Sequence, residues 1–162
     1  MHEHHLKGLK VKFSLLVASS TRTALNDDSG RAMKEIVERY NHEVVNYQVV
    51  PDSEASIQEA VMSFLKDSDC VVISGGTGIT RNDVTVEAVR NISDFEISGF
   101  NIIFMIKSYQ QVGTASMLSR ASAFSVGRKP VFCLPGSPRA AVMGLEEIII
   151  PEIDHVIHEL GR

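Results

Sequence analysis

The residues whose types and spacing can do chemistry fall in two short loops and two aspartates. Ser74-Gly75-Gly76-Thr77-Gly78 follows the wholly apolar run Cys70-Val71-Val72-Ile73 and precedes a helical stretch from Val84 to Ile92. Glycines let a backbone pass close to a ligand and aim its N–H groups at an oxyanion. The loop lacks the Gly-Lys-Ser/Thr ending of a P-loop and the GxGxxG spacing of dinucleotide folds. The same residues also suit a tight turn that needs positive φ. Pro135-Gly136-Ser137-Pro138 repeats the pattern: it follows an apolar strand and opens a helix, with Ser137 as cap and Pro138 at the first position. Two helix N-termini facing one crevice would make a double anion site.

Asp83 stands five residues after Gly78, and Asp52 ends another β-rich segment. Asp83 suits a helix N-cap, and it equally suits a carboxylate beside a phosphate loop, able to hold Mg²⁺ or act on a substrate group. If the strands are parallel, Asp52 and Asp83 project from the same sheet edge, as a Mg²⁺-dependent nucleotide reaction requires. Ser19, Ser20 and Arg22 end the first strand and can add a third wall. Ser119-Arg120 offers a hydroxyl and a forked cation to a phosphate, or Arg120 forms a surface ion pair. His155 and His158, and the histidines of the segment Met1-His2-Glu3-His4-His5, do not complete a metal-ligand set. A Gly76→Val change is expected to abolish ligand binding in a protein that stays folded.

The elements that must position these residues alternate. Residues 1–10 read as a flexible arm and 11–162 as a single domain. Lys12 to Ala18 is a strand. A helix to about Tyr40 starts at Asp28 or Ser29 as cap, with Met33, Ile36 and Val37 inward. Val44 to Val50 is a strand, and a helix capped by Asp52 or Ser53 presents Ile57, Val61, Phe64 and Leu65. Phe100 to Gln110 reads as a helix. Ser122–Val126 and Pro130–Leu134 flank Gly127-Arg128-Lys129 as a hairpin at the sheet edge. A last helix carries Ala141, Leu145, Ile148 and Ile149, and Pro151 starts or kinks its continuation. Repeated strand–helix units predict an α/β fold: a three-layer sandwich of a mostly parallel sheet with helices on both faces.

Bulk properties narrow the function classes. The 162-residue chain is 44% hydrophobic and 22% charged, with a formal net charge of −4. That balance gives no electrostatic case for nucleic acid or an anionic membrane as partner. No apolar run reaches the roughly 18 residues that would span a bilayer. Cys70 and Cys133 sit in apolar runs and read as buried thiols of a reducing, cytoplasmic protein. Apolar content from Phe100 to Met105 and from Met117 to Phe124 exceeds the needs of one small sheet and predicts self-association.

The run from Ser74 to Ala88 resembles the signature of the molybdopterin-binding domains. Ser108-Tyr109 with Gly113-Thr114-Ala115, then Leu118-Ser119-Arg120-Ala121, and Phe132-Cys133-Leu134 with the Pro135–Pro138 loop, resemble the small single-domain MoaB/Mog branch. Ser20-Thr21-Arg22 with Asp28-Ser29-Gly30 also matches. The resemblance covers roughly residues 11 to 160. It implies a trimer or hexamer and a Mg²⁺-dependent transfer of AMP from ATP onto molybdopterin, with release of pyrophosphate. It associates Asp52 and Asp83 with the active site, the two glycine-containing loops with ligand binding, and the product with a molybdenum-insertion enzyme. Where relatives often show Gly-Phe-Gly-Glu, this chain has Gly99-Phe100-Asn101-Ile102. Met105 and Asn82 stand where basic residues are common. These departures keep open an alternative reading as a non-catalytic molybdopterin-binding or carrier protein of the same fold.

Overall fold

A computed structural model describes residues 8–162. Residues 1–7, with the histidines of the expected arm, lie outside the described part. The sheet has six strands in the order β2-β1-β3-β6-β5-β4. β1 (Lys12–Ala18), β2 (Glu43–Val50), β3 (Cys70–Ser74) and β6 (Lys129–Leu134) run parallel. β5 (Ser122–Val126) is antiparallel to β6, and the two-residue β4 (Phe95–Glu96) is antiparallel to β5. β1, β3 and β6 are the most apolar strands and occupy the centre, where both faces are covered.

Helices cover both faces. α1 (Asp28–Arg39), α4 (Ser98–Val112), α5 (Pro138–Gly144) and α6 (Ile150–Gly161) close a core with Phe13, Leu15, Met33, Phe104 and Leu145. α2 (Glu54–Phe64) and α3 (Thr85–Arg90) close the other, with Leu16, Ile57, Ile73 and Phe124. Each fully buried Phe or Leu contributes about 1.5–3 kcal/mol. The α/β sandwich expected from the alternating pattern is therefore present.

Several local expectations need correction. The α1 cap is Asp27, whose carboxylate accepts from the Gly30 N–H at 3.0 Å and from the Tyr47 hydroxyl. A cap must be extended, as Asp27 is, whereas Asp28 and Ser29 are already helical. Ser53, not Asp52, caps α2. The β5–β6 hairpin turns at Gly127 and Arg128, both at positive φ, but it is not the sheet edge. β6 lies between β3 and β5, and β4 covers the outer side of β5. α4 ends at Gly113, φ 65°, and the chain continues as a 3₁₀ helix, Gly113–Leu118, which the sequence pattern did not suggest. A π-helical turn, Leu145–Ile149, joins α5 to α6, whose second residue is Pro151. No helix among the described residues is long and apolar enough to cross a membrane.

Candidate active site

The connections leave β1 and β3 in opposite directions across the sheet, so the crevice at their carboxyl ends is the switch point where open α/β sheets bind ligands. A cleft of about 500 Å³ opens there. Its floor is made of the loops after β1, β3 and β6. The three meet closely: a Cβ at Gly75 would overlap the Ala18 carbonyl, and one at Gly136 would stand 3.4 Å from the Gly75 Cα. Ser74, fully buried below the cleft, ties two of the loops by donating to the Pro135 carbonyl at 3.1 Å.

The loop after β3 is held from several sides. Gly75 and Gly76 have φ of 100° and 70°, a region that β-carbons resist. The buried Thr85 hydroxyl donates to the Gly75 carbonyl at 2.8 Å, and the Thr85 N–H donates to the Gly76 carbonyl at 3.1 Å. The expected helix N-terminus therefore does not face the ligand here. A turn separates the glycines from α3, and the first donor of α3 serves the loop's own carbonyl. Arg120 grips the same loop. Its backbone N–H donates to Thr77 at 2.7 Å, Nε to the Gly78 carbonyl at 2.7 Å and Nη2 to the Asp83 carbonyl at 2.9 Å, while the guanidinium pairs with Glu87. Arg120 does not line the cleft; Ser119 beside it does. The Glu87 carboxyl is held below its ordinary pKa by that guanidinium.

Gly76, Thr77, Gly78, Gly136 and Ser137 line the cleft. Among the described residues, the N–H groups of Gly76, Thr77, Gly136 and Ser137 have no protein acceptor. They are donors a phosphate can use. Ser137 caps α5 by accepting from the Ala140 N–H at 3.3 Å, and Pro138 opens that helix without entering the cleft lining. In the β1 loop the Ser19 hydroxyl accepts from the Thr21 and Arg22 N–H groups at 3.3 and 3.1 Å. Arg22 donates to the Gly136 carbonyl at 2.9 Å, and Ser29 donates to the same carbonyl at 2.8 Å.

The two aspartates are anchored alike. Oδ2 of Asp52 accepts from the Ser20 N–H at 3.1 Å and the Ser20 hydroxyl at 3.0 Å. Oδ2 of Asp83 accepts from the Thr80 N–H at 2.9 Å and the Thr80 hydroxyl at 2.7 Å. Both residues line the cleft, and in each the Ser or Thr donors gather on Oδ2. Asp83 is not the α3 cap: Val84 holds that position without a side-chain bond. Burial pushes the Asp83 carboxyl up, but the Thr80 hydroxyl and N–H, the Gly78 N–H and the Arg120 guanidinium outweigh it, so its pKa lies below the ordinary value. Gly78 makes room for this arrangement, since a Cβ there would stand 2.7 Å from the Asp83 Oδ2.

One wall carries residues that sequence reasoning placed in family-like stretches but gave no site role. Ser108, Gln111 and Val112 of α4 and Ala115, Ser116 and Leu118 of the 3₁₀ helix face the cleft, as does Arg139 of α5. The usable signal was the run of small residues from Gly113 to Ser116, which lets the backbone lie close to a bound group. Asn82, Asn101, Ile102 and Met105 do not line the cleft. Asn101 ties α4 to the segment just before β5 through the Ala121 carbonyl at 2.8 Å, and Met105 packs on the core.

Comparison with known proteins places this geometry in a family. The model of the "Probable molybdopterin binding domain" family matches residues 14–155. Molybdenum cofactor biosynthesis protein B of Bacillus cereus is 41% identical over 164 aligned positions, covering 99% of this chain and 97% of that protein. The Staphylococcus aureus protein of the same name is 38% identical over 98% of its length. A crystal structure of molybdenum cofactor biosynthesis protein B superposes with a TM-score of 0.91 at 41% identity, over 95% of this chain and 98% of the other. The tungsten cofactor synthesizing protein MoaB of Pyrococcus furiosus superposes with a TM-score of 0.85 at 36% identity, over 94% of this chain and 98% of that one. Sharing sequence over nearly its whole length and a cleft assembled from the same loops that carry the signature, the chain belongs to the molybdopterin-binding domain family, in its MoaB/Mog branch.

Proposed function

We propose that this protein acts in molybdenum-cofactor biosynthesis as a molybdopterin adenylyltransferase. The observation that carries the reading is the meeting, in one cleft, of unpaired loop N–H donors and two carboxylates anchored through Oδ2. In the reaction a terminal phosphate oxygen of molybdopterin attacks the α-phosphorus of ATP. The bond from that phosphorus to the bridging oxygen breaks, and pyrophosphate leaves with its electron pair. Both partners are anionic, so the protein must supply positive potential. The N–H groups of Gly76, Thr77, Gly136 and Ser137 donate to phosphate oxygens, and the hydroxyls of Ser19 and Ser119 stand at the cleft wall for the same purpose. The α4 and 3₁₀ wall, partly apolar, receives a planar ring.

Mg²⁺ fits the residues present. Asp83 and Asp52 offer hard oxygens, and Asp83 stays ionised at neutral pH and below. Among the described residues no third metal-binding side chain joins them around such an ion. When bound, it neutralises phosphate charge. The test is incubation with molybdopterin, ATP and Mg²⁺, with assay of pyrophosphate and adenylylated pterin. Pyrophosphate released in step with adenylylated product supports the transferase. Pterin binding without pyrophosphate would make the protein a carrier. The departures that motivate the carrier reading, Asn82, Asn101, Ile102 and Met105, lie off the cleft lining.

Self-association is part of the proposal. Ile102, Ile106 and Tyr109 of α4 and Met117 of the 3₁₀ helix are 56–74% exposed, an apolar strip that borders the cleft through Val112 and Leu118. Sedimentation should show an oligomer at micromolar concentration, and Ile106→Glu should shift it toward the 17.8 kDa monomer.

A further inference from the structure

The charges of the cleft are sorted by the layers of the sandwich. Asp52 precedes α2 and Asp83 precedes α3, the two helices on one face of the sheet. Arg22 precedes α1 and Arg139 lies in the first turn of α5, on the opposite face. The glycine loop after β3 runs between the two rims. A ligand lying across the sheet edge therefore meets carboxylates on one side and guanidinium groups on the other.

Arg139 has no evident structural task. Arg31, Arg39, Arg90, Arg120 and Arg162 each meet a carboxylate, and Arg81 and Arg128, which meet none among the described residues, lie off the cleft lining. Among the described residues Arg139 meets none and makes no hydrogen bond, and its side chain is exposed at the cleft. Arg22, the other cationic lining residue, already has Nη1 on the Gly136 carbonyl. That bond fixes the plane of its guanidinium beside the Pro135–Pro138 loop while leaving further N–H groups on the fork. Arg139 stands three residues beyond Gly136, on the other flank of the same loop.

We propose that Arg139 is a phosphate-binding residue, which with Arg22 forms an anion-recognising rim and selects phosphorylated ligands. The inference rests on the reading of the cleft as a site for phosphorylated substrates, and it adds the side chain that recognises their charge. Backbone donors accept any oxyanion of suitable shape, whereas a pair of guanidinium groups on one rim favours multiply charged phosphate.

The experiment is equilibrium titration of the full chain with pyrophosphate and with AMP, at low and at moderate salt, for the wild type, Arg139→Glu and Arg139→Lys. The residue is exposed, so an unchanged melting temperature is expected for both variants. Arg139→Glu should weaken pyrophosphate about tenfold or more and AMP less, because reversing a charge beside an anion costs more as the anion's charge rises. Its affinity should also fall less steeply with salt. Arg139→Lys should retain most of the wild-type affinity; if Arg139→Glu melts early, Arg139→Lys and Arg139→Gln at equal melting temperature carry the comparison. Wild-type affinity for pyrophosphate in Arg139→Glu overturns the inference and leaves the functional reading standing. Absence of pyrophosphate and AMP binding in the wild type overturns both.

Discussion

The two glycine-containing loops occupy equivalent places, each at the carboxyl end of a central parallel strand, yet they are built differently. The loop after β3 is over-determined. It has two consecutive positive-φ glycines, a buried threonine hydroxyl on one carbonyl and the Arg120 fork on two more. A Cβ at Gly76 would overlap the Thr85 hydroxyl. The loop after β6 has no positive φ, and Gly136 meets its neighbours only at 3.4 Å or more. It relies instead on Ser137 and Pro138, which start α5. The difference teaches that glycine is a requirement in the first loop and a convenience in the second, although the two motifs look alike on paper.

The largest effect is expected at the carboxylate that the β3 loop carries. Asp83→Asn keeps an oxygen for the Thr80 N–H and hydroxyl but loses the charge. Turnover in the complete reaction should fall about 100-fold with near-normal stability, in the range seen when groups around a metal site are altered. The pH profile sharpens the point. The folded pKa of Asp83 is depressed, so its contribution is present above the ordinary carboxylate value and is lost only as pH falls through the lowered one. An acid limb of activity below the usual aspartate range, absent in Asp83→Asn, is the expected signature; wild-type turnover in the variant at saturating Mg²⁺ would remove Asp83 from the mechanism.

The glycines test the comparison directly. Gly76→Ala combines positive φ with overlap at Thr85 and should cost roughly 1–3 kcal/mol in denaturant unfolding, together with phosphate binding. Gly76→Val, expected from sequence to leave a folded protein, meets the same overlap and should lose stability as well. Gly136→Ala should stay within about 0.5 kcal/mol of wild type. Equal costs at the two positions would show that the loops are not built differently after all. An effect between those of the two glycines belongs to the second loop's cap. Ser137→Ala removes the acceptor for the Ala140 N–H and should cost about 1 kcal/mol, read as a lower urea midpoint at unchanged slope.

Much of this molecule was legible before the structure. Apolar runs at Cys70–Ile73 and Phe132–Leu134 announce central strands because only a strand covered on both faces can be apolar throughout. Turn residues mark their ends. The sandwich, Ser137 as cap and Pro138 at the helix start follow from such local rules. What was not legible depends on partners distant in sequence. Arg120 reads equally as a phosphate ligand or a surface ion pair until Gly78, Asp83 and Glu87 are brought against it. Asp83 reads equally as a helix cap or as a carboxylate beside the loop until Thr80 is seen to hold it and Val84 to take the cap position. The α4 and 3₁₀ wall carries no periodic signal of function, since its cleft-facing residues are mostly small or ordinary polar ones.

The sequence by itself determined the order of the longer strands and helices, the two loops and the chemical types at their tips, because backbone preference and apolar periodicity act over a few residues. The tertiary structure alone decided which tips share a cleft, which glycines cannot be replaced, and that the carboxylates border one face of the sandwich while the guanidinium groups border the other. Those outcomes depend on the strand order β2-β1-β3-β6 and on the face to which each helix returns. Both are set by packing across the whole sheet, where residues far apart in the chain become neighbours.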